Sequence, residues 1–172
     1  DFMHQDSLFD FDKISVFIFD FDGVLTNNIV FVDQCGIESV ACSRADGLAF
    51  DVLRRLKKQS YILSTEKNQA VKARANKLKV PVIQGVNNKV KALKELKNKE
   101  GIDFKNALYM GNDLNDYQAM RLCGISVCPA DSHPKIKEIS DIVLKTNGGN
   151  GVVRELLEDV FGLDFIEILY KE

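Results

Sequence analysis

No apolar run in this chain of 172 residues approaches the roughly 20 residues that a bilayer-spanning helix needs. The stretch from Asp1 to Asp10 lacks a basic segment followed by an apolar one, so no export leader is expected there. An excess of charge of either sign is missing too. Lys and Arg number 23 against 25 Asp and Glu, a formal net charge of −2, which leaves no electrostatic footprint for nucleic acid or an anionic membrane. Cys35, Cys42, Cys123 and Cys128 show no CxxC spacing and sit mostly among apolar residues. That speaks against a zinc site or a disulfide frame and for reduced thiols in the cytoplasm. Repeats, low-complexity segments and linkers rich in Pro, Gly or Ser are also absent, so a single domain over residues 1–172 is expected. His4 falls in a tail with no expected role, and His133, between Ser132 and Pro134, reads as part of a structural loop. Met3 fits a natural start after tag residues, and equally a piece of a longer chain.

The chain is organised around Phe17-Ile18-Phe19-Asp20-Phe21-Asp22-Gly23-Val24-Leu25-Thr26. The apolar run Ile14 to Phe19 has the length of a buried strand. It ends in two carboxylates one residue apart and a glycine. On a strand such residues share a face, so Asp20 and Asp22 are expected to point the same way from its carboxyl end. In open α/β sheets that end binds ligands. Like charges so close call for a cation or a shared proton, which favours a magnesium site over an idle acidic turn.

The remaining pattern alternates strands with helices. Ile29 to Asp33 and Ile37 to Cys42 read as a hairpin about Gln34-Cys35-Gly36, forming a flap over about 27–43. Asp46 is expected to cap a helix carrying Leu48, Ala49, Val52, Leu53 and Leu56. Strands are expected at Tyr61 to Leu63, Val80 to Ile83, Ala107 to Met110, Ile125 to Val127 and Ile142 to Leu144. Helices are expected around Val71 to Leu78, Val90 to Leu96, Leu114 to Leu122 and Val152 to Phe161. The fold class is α/β, a doubly wound parallel sheet. Polar residues follow the strands. Ser64, with amides of the next helix start, suits a phosphate oxygen, although a plain helix cap is equally compatible. Lys89 opens a helix, where the macrodipole disfavours a cation unless it faces phosphate and carboxylate. Asn112, Asp113 and Asp116 follow Gly111; they are metal ligands or helix caps.

In these motifs the chain resembles the haloacid dehalogenase (HAD) superfamily. Asp20-Phe21-Asp22-Gly23-Val24-Leu25-Thr26 fits its first motif, Ser64 its second, Lys89 its third and Gly111-Asn112-Asp113-Leu114-Asn115-Asp116 its fourth. Asn112 stands where the main metal-binding aspartate usually does. The resemblance implies a Rossmann-like fold and a Mg²⁺-dependent phosphatase with an aspartyl-phosphate intermediate. Asp20 would be the nucleophile and Asp22 the general acid and base. Ser64 and the amides of Phe21 and Asp22 would hold phosphate, and Lys89 would neutralise charge. Asp20, Asp22, Asn112, Asp113 and Asp116 would form the metal site or support it. The gaps Gly23–Asp46 and Glu66–Lys89 hold no cap domain. This layout resembles the cap-less phosphatases of 3-deoxy-octulosonate (KDO) 8-phosphate and of nine-carbon, sialic-type 9-phosphates. Further matching pieces are Arg44-Ala45-Asp46-Gly47, Gln84-Gly85 and Gly148-Gly149-Asn150-Gly151-Val152-Val153-Arg154-Glu155. The resemblance also implies a homotetramer in which one subunit's hairpin closes its neighbour's site. Ser64-Thr65-Glu66-Lys67 looks like the nine-carbon branch, with Arg44, Thr65, Glu66 and Lys67 as candidates for sugar recognition. The alternative is a weakly catalytic or non-catalytic tetramerisation domain of an acylneuraminate cytidylyltransferase.

Overall fold

The computed structural model describes residues 9–172, so His4 and Met3 lie outside the described residues. The first strand, β1 (Val16–Phe19), is followed by two short strands, β2 (Phe31–Val32) and β3 (Glu38–Ser39), and then by helix α1 (Arg44–Arg55). Next come β4 (Gln59–Leu63), α2 (Gln69–Leu78), β5 (Val82–Ile83), α3 (Lys89–Glu100) and β6 (Ala107–Met110). A 3₁₀ turn (Leu114–Asp116) leads into α4 (Tyr117–Leu122), then β7 (Ile125–Cys128), α5 (Pro134–Ile139) and β8 (Ile142–Val143). The chain closes with α6 (Val152–Glu155), which widens into a π-helical turn (Leu156–Val160), and α7 (Phe165–Tyr170). The short helices α5 and α7 were not expected from the sequence pattern.

Six strands form one parallel sheet in the order β5-β4-β1-β6-β7-β8. The chain builds outward from β1 on one side, then returns to its other flank with β6. That reversal creates a crevice at the carboxyl ends of β4, β1 and β6, where doubly wound sheets bind ligands. Strand alternation divides the core. Phe17, Phe19, Ile62, Leu108, Met110 and Val127 pack with α1, α2 and α6 on one face. Val16, Ile18, Tyr61, Leu63 and Tyr109 pack with α3, α4 and α5 on the other. Both faces of β1 are covered, which is why its sequence is an unbroken apolar run rather than an alternating one.

The hairpin is present but shorter than its apolar pattern: β2 and β3 pair over two residues each, with an isolated bridge between Thr26 and Cys42. Asp33 shapes the turn by accepting from the amides of Cys35 and Ile37 at 2.8 and 2.9 Å. Ile29, Val30, Phe31, Val32 and Ile37 are all exposed on it. Cys35 lies exposed at this turn, unlike buried Cys128, and all four cysteines are free thiols. Two cap expectations are corrected. Ser43, not Asp46, caps α1 through the amide of Ala45. Asn68, not Ser64, caps α2. His133 caps α5, its Nδ1 accepting from the Lys135 amide at 3.1 Å.

Candidate active site

The expected strand alternation of Asp20 and Asp22 does not apply, because β1 ends at Phe19 and both residues lie beyond it. Asp20 remains tied to the sheet through its amide, which donates to the Met110 carbonyl. The chain then turns, with the Phe21 carbonyl accepting from the amides of Val24, Leu25 and Thr26. This turn gives the two carboxylates separate surroundings.

Asp20 is buried, and its Oδ1 lies 3.0 Å from the ammonium of Lys89. The same ammonium donates to Asp116 Oδ1 at 2.7 Å. Asp116 is fully buried and accepts further bonds from the Tyr109 hydroxyl at 2.7 Å and the amides of Asn112 and Asp113 at 3.0 and 3.3 Å. Lys89 therefore stands between two carboxylates at the start of α3, where its charge is matched locally. Burial pushes the Asp20 carboxyl well above the ordinary range, Asp116 adds to this, and Lys89 opposes it. Burial alone would lower the Lys89 ammonium, but Asp20 and Asp116 outweigh it and hold it above its ordinary value. The Tyr109 hydroxyl, raised by burial and by the charges of Asp116 and Asp20, stays a proton donor.

Asn112 follows β6 and directs one terminus of its amide at Asp20 Oδ2 and the main-chain carbonyl oxygen of Asp22, 3.0 Å from each. With the amide oxygen in that place, three oxygens converge without a donor between them; turned over, the NH₂ group would donate to both. Neighbouring oxygens around an octahedral Mg²⁺ lie about 3 Å apart. The donor set thus fits a hard cation, with one carboxylate, one main-chain carbonyl and one neutral amide. Among the described residues no group of three His, Cys, Asp or Glu side chains could do the same. Gly23 makes the convergence possible: at φ +85° it lies against Asn112, and a Cβ would fall 1.9 Å from Nδ2.

The Asp22 carboxylate faces outward, half-buried, with the Thr26 hydroxyl donating to its Oδ1 at 3.4 Å. Burial raises it, followed by the charges of Glu66 and Glu38; Thr26 and Lys89 act in the opposite sense. Beside it a cleft of about 250 Å³ opens between the hairpin and the start of α2, lined among others by Phe21, Asp22, Asn28, Glu38, Glu66 and Asn68. Asn68 donates to Glu38 at 3.2 Å, bridging α2 to the hairpin.

The other expected residues are placed less centrally. Ser64 is buried at the end of β4, its hydroxyl accepting from the Glu66 amide at 3.1 Å. Helix α2 begins only at Gln69, so phosphate held by Ser64 would meet loop amides rather than a helix start. The Phe21 amide is engaged with Asp20 Oδ1 at 2.7 Å. Asp113 is exposed and its carboxylate is occupied as a cap of the 3₁₀ turn. Arg44, Thr65 and Lys67 are exposed and do not line the cleft, although Lys67 covers Gly85 with its aliphatic stem. Tyr109, Glu38 and Asn68 were missed by sequence reasoning. Only Tyr109 carried a usable signal, a hydroxyl in an otherwise apolar strand just before the fourth motif.

A family model described as haloacid dehalogenase-like hydrolase matches residues 50–156. The chain is 32% identical over 148 residues to 3-deoxy-D-manno-octulosonate 8-phosphate phosphatase KdsC of Escherichia coli K12, covering 86% of this chain and 79% of that protein. Among solved structures it is similar to that phosphatase from Moraxella catarrhalis, determined with magnesium, phosphate and KDO. The match has TM-score 0.82 and 31% identity, and covers 87% and 86% of the two chains. The cobalt-bound phosphatase of Haemophilus influenzae matches with TM-score 0.82 at 29% identity, covering 87% and 88%. With its four motifs gathered at one crevice and these relatives along most of its length, the chain belongs to the haloacid dehalogenase-like hydrolases.

Proposed function

We propose that this chain is a Mg²⁺-dependent phosphatase of a sugar-acid phosphate, working through an aspartyl-phosphate on Asp20. The convergence of Asp20 Oδ2, the Asp22 carbonyl and the Asn112 amide, beside an Asp20 held by Lys89, carries the reading. Asp20, Asp22 and Asn112 would hold the metal. When bound, Mg²⁺ supplies positive charge to phosphate oxygens and to the attacking carboxylate. Asp20 attacks phosphorus while Lys89 offsets the negative charge gathering there. Asp22, its carboxyl raised by burial and by Glu66, gives its proton to the departing sugar oxygen. It then takes one from the water that hydrolyses the acyl phosphate. Ser64 holds a phosphate oxygen. Asp116 keeps Lys89 in place rather than contacting substrate.

Two sugar acids are proposed as substrates. The names of the relatives favour KDO 8-phosphate. Glu66, lining the cleft beside Asp22, favours the 9-phosphates of nine-carbon sugars. The exposed apolar hairpin favours assembly into a homotetramer that closes the site, and the free thiols favour the cytoplasm. Among the described residues, no helix is long and apolar enough to cross a membrane. The test is phosphate release with Mg²⁺ from both substrates, with Asp20→Asn as control. Turnover abolished in the control supports the mechanism, and the better substrate decides between the sugars. A folded wild type no faster than the control would overturn it in favour of the assembly domain of an acylneuraminate cytidylyltransferase.

A further inference from the structure

Two matching segments have no task in the reading above: Arg44-Ala45-Asp46-Gly47 and the glycine-rich stretch from Gly148 into α6. One side chain joins them. Asp46 lies in the first turn of α1 and is only 2% exposed. Its Oδ1 accepts from the amides of Val153 and Arg154 at 3.0 and 3.2 Å. Helix α6 starts from Gly151 at φ +96° and has no side-chain cap of its own. Asp46 supplies that cap from a distant part of the chain. Its Oδ2 is buried with no hydrogen-bond partner. The nearby cations are engaged elsewhere, Arg74 with the Ser43 carbonyl at 3.0 Å and Arg154 with Glu158 at 2.6 Å.

The loop leading to α6 is pressed against the turn that carries Asp22. The Gly149 amide donates to the Val24 carbonyl at 2.9 Å. A Cβ on Gly148 would lie 1.9 Å from the Gly23 carbonyl oxygen, and one on Gly149 would lie 2.4 Å from the Asn27 nitrogen. Backbone thus meets backbone at Gly23, Thr26 and Asn27. Thr26 in turn accepts from the Gly23 amide at 3.2 Å and donates to the Asp22 carboxylate. The contacts run without a break from Asp46 through α6, the glycine loop and Thr26 to Asp22.

We propose that Asp46 is a positioning residue for the leaving-group step: by capping α6 it clamps the Gly148–Gly151 loop onto the Gly23–Asn27 turn and so aims the Asp22 carboxylate. The inference rests on the phosphatase reading, in which Asp22 protonates the departing oxygen. A purely structural cap would lower stability when removed but treat all substrates alike. A clamp on the general acid affects poor leaving groups most, because an aryl oxide departs with little help from a proton.

The experiment compares kcat/KM for the sugar-acid phosphate and for p-nitrophenyl phosphate in wild type, Asp46→Ala, Asp46→Asn and Asp20→Asn, at saturating Mg²⁺ and well below each unfolding transition. This ratio is set by the steps up to departure of the leaving group and not by hydrolysis of the shared aspartyl-phosphate. Asp46→Ala is expected to lose about 10-fold or more in kcat/KM on the sugar ester, with a much smaller loss on the aryl ester. Asp46→Asn keeps an acceptor for both amides and is expected to restore most of the difference. Should Asp46→Ala not fold, Gly149→Ala disturbs the same contact from its other side and is expected to give the same selective loss. Equal losses on both esters, or no loss, in a folded variant overturn the inference alone. A wild type no better than Asp20→Asn on either ester overturns the phosphatase reading and the inference with it.

Discussion

Asp20 and Asp46 are both buried carboxylates that burial holds above their ordinary range, yet their surroundings differ in kind. Asp20 faces an ammonium on one oxygen and a converging set of oxygens at the other. Asp46 has two backbone amides on one oxygen and nothing on the other. The first arrangement concentrates charge that an incoming cation and phosphate can use. The second gives up electrostatic stability to hold two distant segments together. A raised carboxyl therefore does not by itself mark the chemistry; the groups facing it do.

Replacing Asp20 with Asn gives the widest separation between the two sites. Activity is expected to fall by about 10⁴-fold or more, while thermal unfolding shifts upward or stays unchanged, because a buried charge disappears. Activity assays and melting curves on the same preparation check both. A loss of stability comparable to the loss of activity would assign Asp20 a structural role.

Lys89→Met attacks the same cluster from its cation. Turnover is expected to drop by about 10²- to 10³-fold. Unlike Asp20→Asn, it leaves Asp20 and Asp116 buried without their shared cation, so unfolding stability should fall by about 3 kcal/mol. Urea titration measures this, and an unchanged midpoint would contradict the buried pairing.

For Asp46 the effect is on pH dependence. Its carboxyl sits at about 6 in the folded protein against an ordinary 3.8. Between those values the folded state holds a proton that the unfolded state has lost, so stability falls as pH rises through the window. The contribution amounts to about 3 kcal/mol by neutral pH. Asp46→Asn removes it, so the variant's stability relative to wild type should improve from pH 4 to pH 7. Parallel pH profiles would show that Asp46 is ionised with little cost.

Tyr109→Phe is the mildest change. It removes one of four donors to Asp116 and should cost about 1–2 kcal/mol in unfolding stability, read by denaturant midpoint. No measurable loss would mean that Lys89 and the two amides hold Asp116 alone.

The doubly wound sheet and the places of Asp20, Ser64, Lys89 and Asn112 were legible because strand ends are marked by local contrasts. An apolar run stops at carboxylate, hydroxyl or amide, and no distant residue is needed to see it. Lys89 could be distinguished from the other lysines by its unfavourable place at a helix start. The π-helical widening after Glu155 and the open face of the hairpin could not be read this way. Each depends on what packs nearby. Asp46 shows the limit most clearly, since a helix-start aspartate reads as its own helix's cap, and only packing of α1 against α6 hands it to the other.

By itself the sequence determined the alternation of strands and helices, the two-sided burial of the central strand, and which polar residues follow each strand. These follow from side-chain periodicity and local turn chemistry. Tertiary structure alone decided that Lys89 stands between Asp20 and Asp116, that Asn112 meets the Asp22 carbonyl, and that Asp46 caps a helix begun more than a hundred residues later. Those pairings arise where separate strands end side by side or helices cross, and the distances that define them exist only once the chain has folded.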